Sequence, residues 1–568
     1  MMTWRYRFVF LAFAFSFLLI CCRLFYWQEF KAMELSALGE SQYGQNIKLD
    51  PTRGEIRTSD GFPIASNKLT YQVFANPKEV KDINKTTALL APILQEDPAS
   101  ISALLTLNRY WVALKSNLDN TTKETVDKLN LPGIGFDDKS VRFYPEASVG
   151  AKLLGFVGKD DAGDDTGYFG LEGYYDRQLR GKEGIAKQIH DAFGRPILAK
   201  LNNSTAQVDG RSLTLHVDRV LQYVMENELK TGMEQNGAVG AMAAMMDAKT
   251  GGILAMASFP SFDPRTYYDY SDTDYKNSFI TDTYEPGSTF KPLVMAAAIN
   301  EGLVKPETKC DICAGPVSIG GYDIHTWNDE YQPNLTMTEV IQHSDNTGMT
   351  FVSKKLGLDR MIEYIKKYGF GQATNIDLQG EVIPSIRPRD DWYPIDLATS
   401  SFGQGISVTP IELLVAVGAL ANGGKRMEPH IVASIETPDG KKIVIPPKVV
   451  NQPVSEKTAK IMTEIMVNAV NKGEANFARL KGYRIAGKTG TAQIPVAGHY
   501  DPKQTIASFV GYAPAGDPKF VMIVIYDRPT KSIYGAETAA PTFFHIARKA
   551  LEYYNIPPTE MDELSDGK

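Results

Sequence analysis

Ser288-Thr289-Phe290-Lys291 places a hydroxyl and an amine three residues apart. On a helix such a pair shares one face. A serine hydroxyl is a poor nucleophile until a base takes its proton, and a lysine is such a base when burial and a neighbouring cation lower its pKa. The chemistry this pair could do is acyl transfer through a serine ester. Glu285-Pro286-Gly287 reads as a turn that opens a helix, and Pro292 falls in the first helical turn, where its missing N–H costs nothing. Alone the tetrapeptide is weak evidence. Ser565-Asp566-Gly567-Lys568 repeats its pattern in the tail, where nothing supports catalysis.

Ser344-Asp345-Asn346 adds a second hydroxyl and an amide after an apparent helix at 336–343. The hydroxyl can relay a proton to an attacking or departing nitrogen, and the amide can hold the lysine and a substrate backbone. Taken alone, the tripeptide is a helix C-cap turn. Lys-Thr-Gly occurs three times. Lys230-Thr231-Gly232 is expected to end a helix with Gly232 as its stop, and Lys249-Thr250-Gly251 to form a hairpin turn. Lys488-Thr489-Gly490, followed by Thr491, lies instead in a strand-like run of small residues along which a peptide can pair. Lys488 and Thr489 could there hold a carboxylate. His343 beside Ser344 is an isolated neighbour, read as structural.

These residues need a scaffold. Residues 212–217 read as a strand, and 218–230 as a helix N-capped by Asp218. Segments 238–246 and 253–258 read as a hairpin. Further helices are expected at 292–299, 410–422 and 455–471, and strands at 483–494, 506–512 and 520–526. A starting hairpin, a helical middle and closing strands imply one antiparallel sheet flanked by helices, an α+β arrangement. Before residue 210 no cluster of acids, bases or nucleophiles stands out, so a non-catalytic α+β module is expected there. At 568 residues two or more domains are required.

The first residues are of another kind. After Arg5 and Arg7, residues 8–22 are almost wholly apolar. With Arg23 snorkelling outward the run reaches Trp27, the roughly 20 residues that span a bilayer. The bulky Cys22-Arg23-Leu24-Phe25 does not suit signal cleavage, so an uncleaved anchor with a short cytoplasmic tail is expected. Cys310 and Cys313 form a single C-x2-C without a second ligand pair, which leaves a local disulfide or two free thiols. A net charge of −7 is mild for this size and argues against a nucleic-acid binder, which would carry a basic face.

The ordered set S-x-x-K, S-D-N, K-T-G is that of serine β-lactamases and penicillin-binding proteins. Together with Arg53-Gly54-Glu55-Ile56, Arg142-Phe143-Tyr144-Pro145, Gly170-Leu171-Glu172-Gly173, Asp191-Ala192-Phe193-Gly194-Arg195 and Ser401-Phe402-Gly403-Gln404-Gly405, the chain resembles a monofunctional, class B penicillin-binding protein over nearly its whole length. The resemblance implies a cytoplasmic tail (1–7), an anchor (8–27), an elongated pedestal of dimerisation type (28–210), a transpeptidase domain (211–556) and an acidic tail (557–568). It implies Ser288 as nucleophile, Lys291 as base, and Ser344, Asn346 and Lys488 as their catalytic partners, with Thr489, Gly490 and Thr491 binding substrate. It implies cross-linking of peptidoglycan stem peptides ending in D-Ala-D-Ala, with septal work favoured, and inhibition by β-lactams. A bacterial cytoplasmic membrane location with the body outside is implied, as are a membrane glycosyltransferase and division or elongation proteins as partners. No metal or organic cofactor is called for. The competing readings are a D,D-carboxypeptidase, a β-lactamase, and an inactive scaffold of the same fold.

Overall fold

Phe520-Val521-Met522-Ile523-Val524-Ile525-Tyr526 is apolar without a break, and the structure shows why. In the computed structural model, which describes residues 2–189, 205–496 and 499–560, this strand lies at the centre of a five-stranded antiparallel sheet. The 191–195 motif and residues 561–568 of the tail lie outside the described residues. The sheet strands are β1 (Gly240–Met246), β2 (Ile253–Phe259), β3 (Ala486–Val496), β4 (His499–Ala513) and β5 (Phe520–Asp527), in spatial order β2-β1-β5-β4-β3. Because successive side chains of a strand point to opposite faces, β5 serves two cores. Val521, Ile523 and Ile525 enter one cluster, and Met522, Val524 and Tyr526 enter the other.

Two of the described helices cover the second face: α1 (Arg219–Asn236) and Ala539–Tyr553. The first face carries α2 (Lys291–Asn300), α3 (Met337–Gln342), α4 (Asn346–Leu356), α5 (Pro410–Ala421) and α6 (Glu456–Lys472). The expected hairpin, closing strands and flanking helices are therefore present, although the strand expected at 506–512 begins seven residues earlier, at His499, and the helix expected to end at 230 runs to Asn236. The strand β3 is an edge strand, with one side paired to β4 and the other open to a partner.

By its internal contacts the chain forms two units. One gathers Met1–Arg53, Asn67–Val141 and Gly181–Gly210. In it Tyr71 to Ala75 pair with the strand Val112–Leu118, and the helices Ile83–Leu94 and Pro98–Leu105 bury Leu90, Leu94, Ile101 and Leu105 with Val73 and Leu114. Asp82 and Asp97 cap those two helices through the backbone N–H groups of Lys85 and Ser100. Among the described residues, one helix, Thr3–Phe30, is long and apolar enough to cross a membrane. It is longer than the sequence pattern required, and near its end the Arg23 guanidinium lies over the Tyr26 and Trp27 rings at 5.4 and 5.1 Å.

The other unit contains Gly54–Ser66, Arg142–Arg180 and Arg211–Lys568. Three of the short motifs meet inside it. Arg142 donates from Nε to Glu172 at 2.6 Å and from its terminal nitrogen to the Gly54 carbonyl at 2.7 Å, with the Glu172 side chain wholly buried. Gly54 is required by space, since a Cβ there would sit 1.9 Å from the Arg211 carbonyl oxygen. Cys310 and Cys313 are joined as a disulfide, which decides between the two readings left open by the sequence.

One expectation is corrected. Gly232 does not stop α1. Asp218 caps the helix start as expected, but the helix runs on to Asn236, and Gly237, at φ 60°, terminates it. Gly232 is there for close packing: a Cβ would lie 1.9 Å from the Tyr526 hydroxyl, itself 2.8 Å from Thr542 Oγ1. Helix propensity favours Gly232→Ala by about 1 kcal/mol. Overpacking at a buried hydroxyl costs about 1–3 kcal/mol and leaves that hydroxyl without its partner. The packing cost should win, lowering Tm by a few degrees in calorimetry. An unchanged or raised Tm would show that Tyr526 moves aside freely.

Candidate active site

Gly287–Thr289 is a single 3-10 turn that runs directly into α2. Thr289 locks it by donating its hydroxyl to the Pro286 carbonyl at 2.7 Å. Gly287 has φ 57° and lies against the edge of β3, where a Cβ would come 3.1 Å from Ala492 Cβ. From the other side Gly403 closes on the turn, accepting from Gly287 N–H at 3.0 Å; a Cβ on Gly403 would meet the Gly287 carbonyl at 2.2 Å. The loop 401–405 is therefore a support under the serine. Ser288 is half-buried, and among the described residues its hydroxyl makes no hydrogen bond.

Lys291, one turn further on, is fully buried. Its ammonium nitrogen donates to the Ser344 carbonyl and to Asn346 Oδ1 at 2.8 Å, and lies 3.3 Å from Ser344 Oγ. The Asn346 amide orientation is fixed from outside, because its Nδ2 donates to the His325 carbonyl at 2.9 Å. Ser344 sits between α3 and α4 with φ 55°, a left-handed conformation costing about 1–3 kcal/mol for a residue with a side chain. That turn brings its carbonyl and hydroxyl onto the same amine. Asp345 then caps α4, accepting from Gly348 N–H and the Thr347 hydroxyl, both at 2.6 Å. The tripeptide closes the end of α3 as its sequence suggests, with the Ser344 and Asp345 N–H groups donating to the Ile341 and Val340 carbonyls, and it is also the N-cap of α4 and a clamp on Lys291.

Lys488 and Thr489 lie on β3, both buried, with Lys488 Nζ 2.9 Å from Thr489 Oγ1. Gly490 is paired with Ser508 on β4, and a Cβ would meet Ser508 Oγ at 2.4 Å and Thr289 Cγ2 at 2.7 Å. Thr491 accepts from Gly535 N–H at 3.1 Å. Burial above all, and then the charge of Lys488, bring Lys291 down to about 7, against the opposing pull of Asp345 and Glu474. Burial also lowers Lys488, with Glu474 opposing. A neutral Lys291 has two N–H groups for the two fixed carbonyl oxygens and one lone pair left for a hydroxyl proton. That is the state a general base needs.

All eight residues singled out in the sequence are placed in this unit. Lys291, Ser344 and Asn346 come together in the clamp, with Ser288 in the turn just ahead of Lys291, and Lys488 to Thr491 form the strand edge that Gly287 and Gly490 let approach. His343 is not part of it: it caps α3 through its N–H and receives Trp327 Nε1 at its carbonyl, 3.2 Å away. Two carboxylates, one of them in the turn already named, have roles that the sequence did not show. Glu285 accepts from Gly405 N–H at 3.0 Å and from the Tyr500 hydroxyl at 3.1 Å, tying the serine turn to the 401–405 loop and to β4. Glu474, just past α6, accepts from the Thr489 hydroxyl at 2.8 Å. Neither belongs to a recurring spacing; the only hint was that Glu285 precedes the serine in the same turn.

Residues 241–551 match the family described as penicillin binding protein transpeptidase domain, and residues 48–215 the penicillin-binding protein dimerisation domain. The chain is 35% identical to stage V sporulation protein D of Bacillus subtilis over 561 residues, 98% of this chain and 86% of that protein. It is 31% identical to peptidoglycan D,D-transpeptidase FtsI of Escherichia coli, over 92% of this chain and 86% of that one. Among solved structures, penicillin binding protein 3 of Mycobacterium tuberculosis, complexed with aztreonam, aligns at a TM-score of 0.71 and 25% identity, covering 90% of this chain and 98% of the other. A transpeptidase match over more than half of the chain, a dimerisation match before it, and relatives above 30% identity along nearly all of it make this chain a member of the class B penicillin-binding transpeptidases.

Proposed function

We propose that the protein is a peptidoglycan D,D-transpeptidase that works through an ester on Ser288. The observation that carries this reading is the buried Lys291, clamped by Ser344 and Asn346 one turn beyond an unengaged serine hydroxyl. Lys488 holds the terminal carboxylate of a stem peptide laid along the edge of β3, with Thr489, Gly490 and Thr491 beside it. Lys291 takes the Ser288 proton, and Ser288 Oγ bonds to the penultimate D-Ala carbonyl carbon. The oxyanion is received by the backbone N–H groups of Ser288 and Thr491. As the C–N bond breaks, Ser344 passes the proton to the departing D-Ala amine, while Asn346 orients Lys291 and substrate. An amine of a neighbouring stem then forms the new amide, the ester C–O bond breaks, and its proton returns to Ser288. β-Lactams enter the same path because their strained amide takes the place of the scissile one.

We further propose the topology of a single-pass protein, with residues 1–7 in the cytoplasm, 8–27 in the cytoplasmic membrane, 28–210 as pedestal and 211–556 as the catalytic domain outside. Arg5 and Arg7 ahead of the apolar run support that orientation, as does the Cys310–Cys313 disulfide, a bond that persists in oxidising compartments. A membrane glycosyltransferase and division proteins as partners, and septal over lateral wall synthesis, belong to the same reading.

Incubating the full-length protein in detergent with a labelled penicillin and mapping adducts by peptide mass spectrometry tests the chemistry. A stable adduct confined to Ser288 is expected. No adduct on folded protein would favour the inactive scaffold, and rapid penicillin turnover would point to a β-lactamase.

A further inference from the structure

Glu474 occupies a position that the motif set does not mention. Helix α6 ends at Gly473, where a Cβ would lie 2.3 Å from the Ala469 carbonyl and 2.8 Å from that of Gln342. Only a glycine lets the chain leave the helix this close to α3, and the next residue is thereby delivered to β3. There Thr489 Oγ1 lies 2.8 Å from Glu474 Oε2 and 2.9 Å from Lys488 Nζ. The hydroxyl has one proton. A carboxylate can only accept it and an ammonium can only donate, so the chain of bonds has one direction: Lys488 N–H to Thr489 Oγ1, and Thr489 O–H to Glu474. Both bonds carry a charge at one end, the stronger class of hydrogen bond.

The charges around this chain are few. Lys291 feels Lys488, Asp345 and Glu474; Lys488 feels Glu474. Asp345 is committed to capping α4. Glu474 also lines a cavity of about 240 Å³ together with Glu330, His343, Asp345 and Lys472. Of the three acids, Glu474 alone is hydrogen-bonded to a residue of the strand edge.

We propose that Glu474 is a positioning residue of this active site: it accepts the hydrogen bond of the Thr489 hydroxyl, turns that oxygen's lone pairs to Lys488, and is the counter-charge for two buried lysines. This inference rests on the reading of Ser288 as nucleophile and Lys488 as carboxylate holder. Lys488 must carry its proton to bind a substrate carboxylate and to oppose the charging of Lys291, and burial works against that. Glu474 offsets the burial. Its carboxylate favours the charged form of both lysines, so its removal moves both titrations to lower pH.

The test is the pH profile of the acylation rate constant of Ser288 by a labelled penicillin, measured on the full-length protein. The acid limb reports a base losing its proton, and the alkaline limb an acid that must keep one. In Glu474→Gln, which keeps shape and hydrogen bonding but not charge, both limbs are expected to move to lower pH. A shift of roughly one unit makes acylation about tenfold slower on the alkaline limb. Glu474→Asp, which keeps the charge, should return the alkaline limb toward the parent. A Glu474→Gln profile that superimposes on the parent, or identical profiles for the Gln and Asp variants, would overturn the proposal. A parent that forms no adduct on Ser288 would instead overturn the reading beneath it, and this inference with it.

Discussion

Lys291→Ala is expected to slow acylation of Ser288 by about a thousandfold or more, with Ser288→Ala setting the floor at no adduct at all. General-base catalysis contributes about 10²–10⁴-fold, and here the proposed base is also the group that fixes Ser344 and Asn346. Among the described residues no other side chain is placed to take over: Lys488 belongs to the Thr489–Glu474 chain, and Glu285 is held by Gly405 and Tyr500. Stability should respond far less. Losing the amine leaves the Ser344 carbonyl and Asn346 Oδ1 without a donor, at about 1–3 kcal/mol each, yet it also removes an amine that burial disfavours in its charged form. Lys291→Met, which keeps most of the volume, separates a cavity effect from the loss of the base. The rate constant comes from labelled-penicillin kinetics and the fold from calorimetry. An alanine variant acylated within about tenfold of the parent would remove Lys291 from the mechanism.

How much of this site could be read from the chain depends on what each residue is bonded to. Ser288, Lys291, Ser344, Asn346 and Lys488 lie in short strings whose spacing matches a helix turn, a cap or a strand, so local rules locate them. Telling the third Lys-Thr-Gly from the first two needed only its strand-like surroundings, and the structure places it on the sheet edge. The sheet was legible because β5 is apolar on both faces and helical periods precede it. Gly232 was misread because a glycine after a helical stretch looks like a stop, whereas its neighbour Tyr526 is remote in sequence. The pairings of Glu474 and Glu285 were invisible for the same reason. Each acts through a partner on another element, Thr489 or Tyr500, and no local period records such a pairing. The Arg142–Glu172–Gly54 bonds show the intermediate case: the motifs were visible, and that they bind one another was not.

Acylation should fall about a hundredfold between its plateau and pH 5. With Lys291 titrating at about 7, two pH units below leave roughly 1% of it as the free amine, and the rate follows that fraction. Loss of the fold would look similar, so the linkage signs matter. Lys291 is lowered in the folded state. Between about 7 and its ordinary value near 10.5 the unfolded chain therefore binds a proton that the folded one does not, and stability rises with pH across that window. Below 7 both states are protonated and Lys291 adds no further slope. Buried Glu226 and Glu412 are raised to about 7, so they hold protons in the folded state that the unfolded chain releases above about 4.5. Their contribution is present at low pH and is lost as pH rises from 4.5 to 7. Burial holds His216 down to about 4, the opposite sense, with stability lost as pH falls from 6.5 to 4. Two carboxyls against one imidazole leave the fold without a net reason to weaken on going from pH 7 to 5, the interval in which the rate collapses. Calorimetry across pH 5–8 beside the acylation rates decides the matter. A rate that drops with a steady Tm assigns the acid limb to Lys291, and a Tm that falls in step with the rate would assign it to unfolding instead.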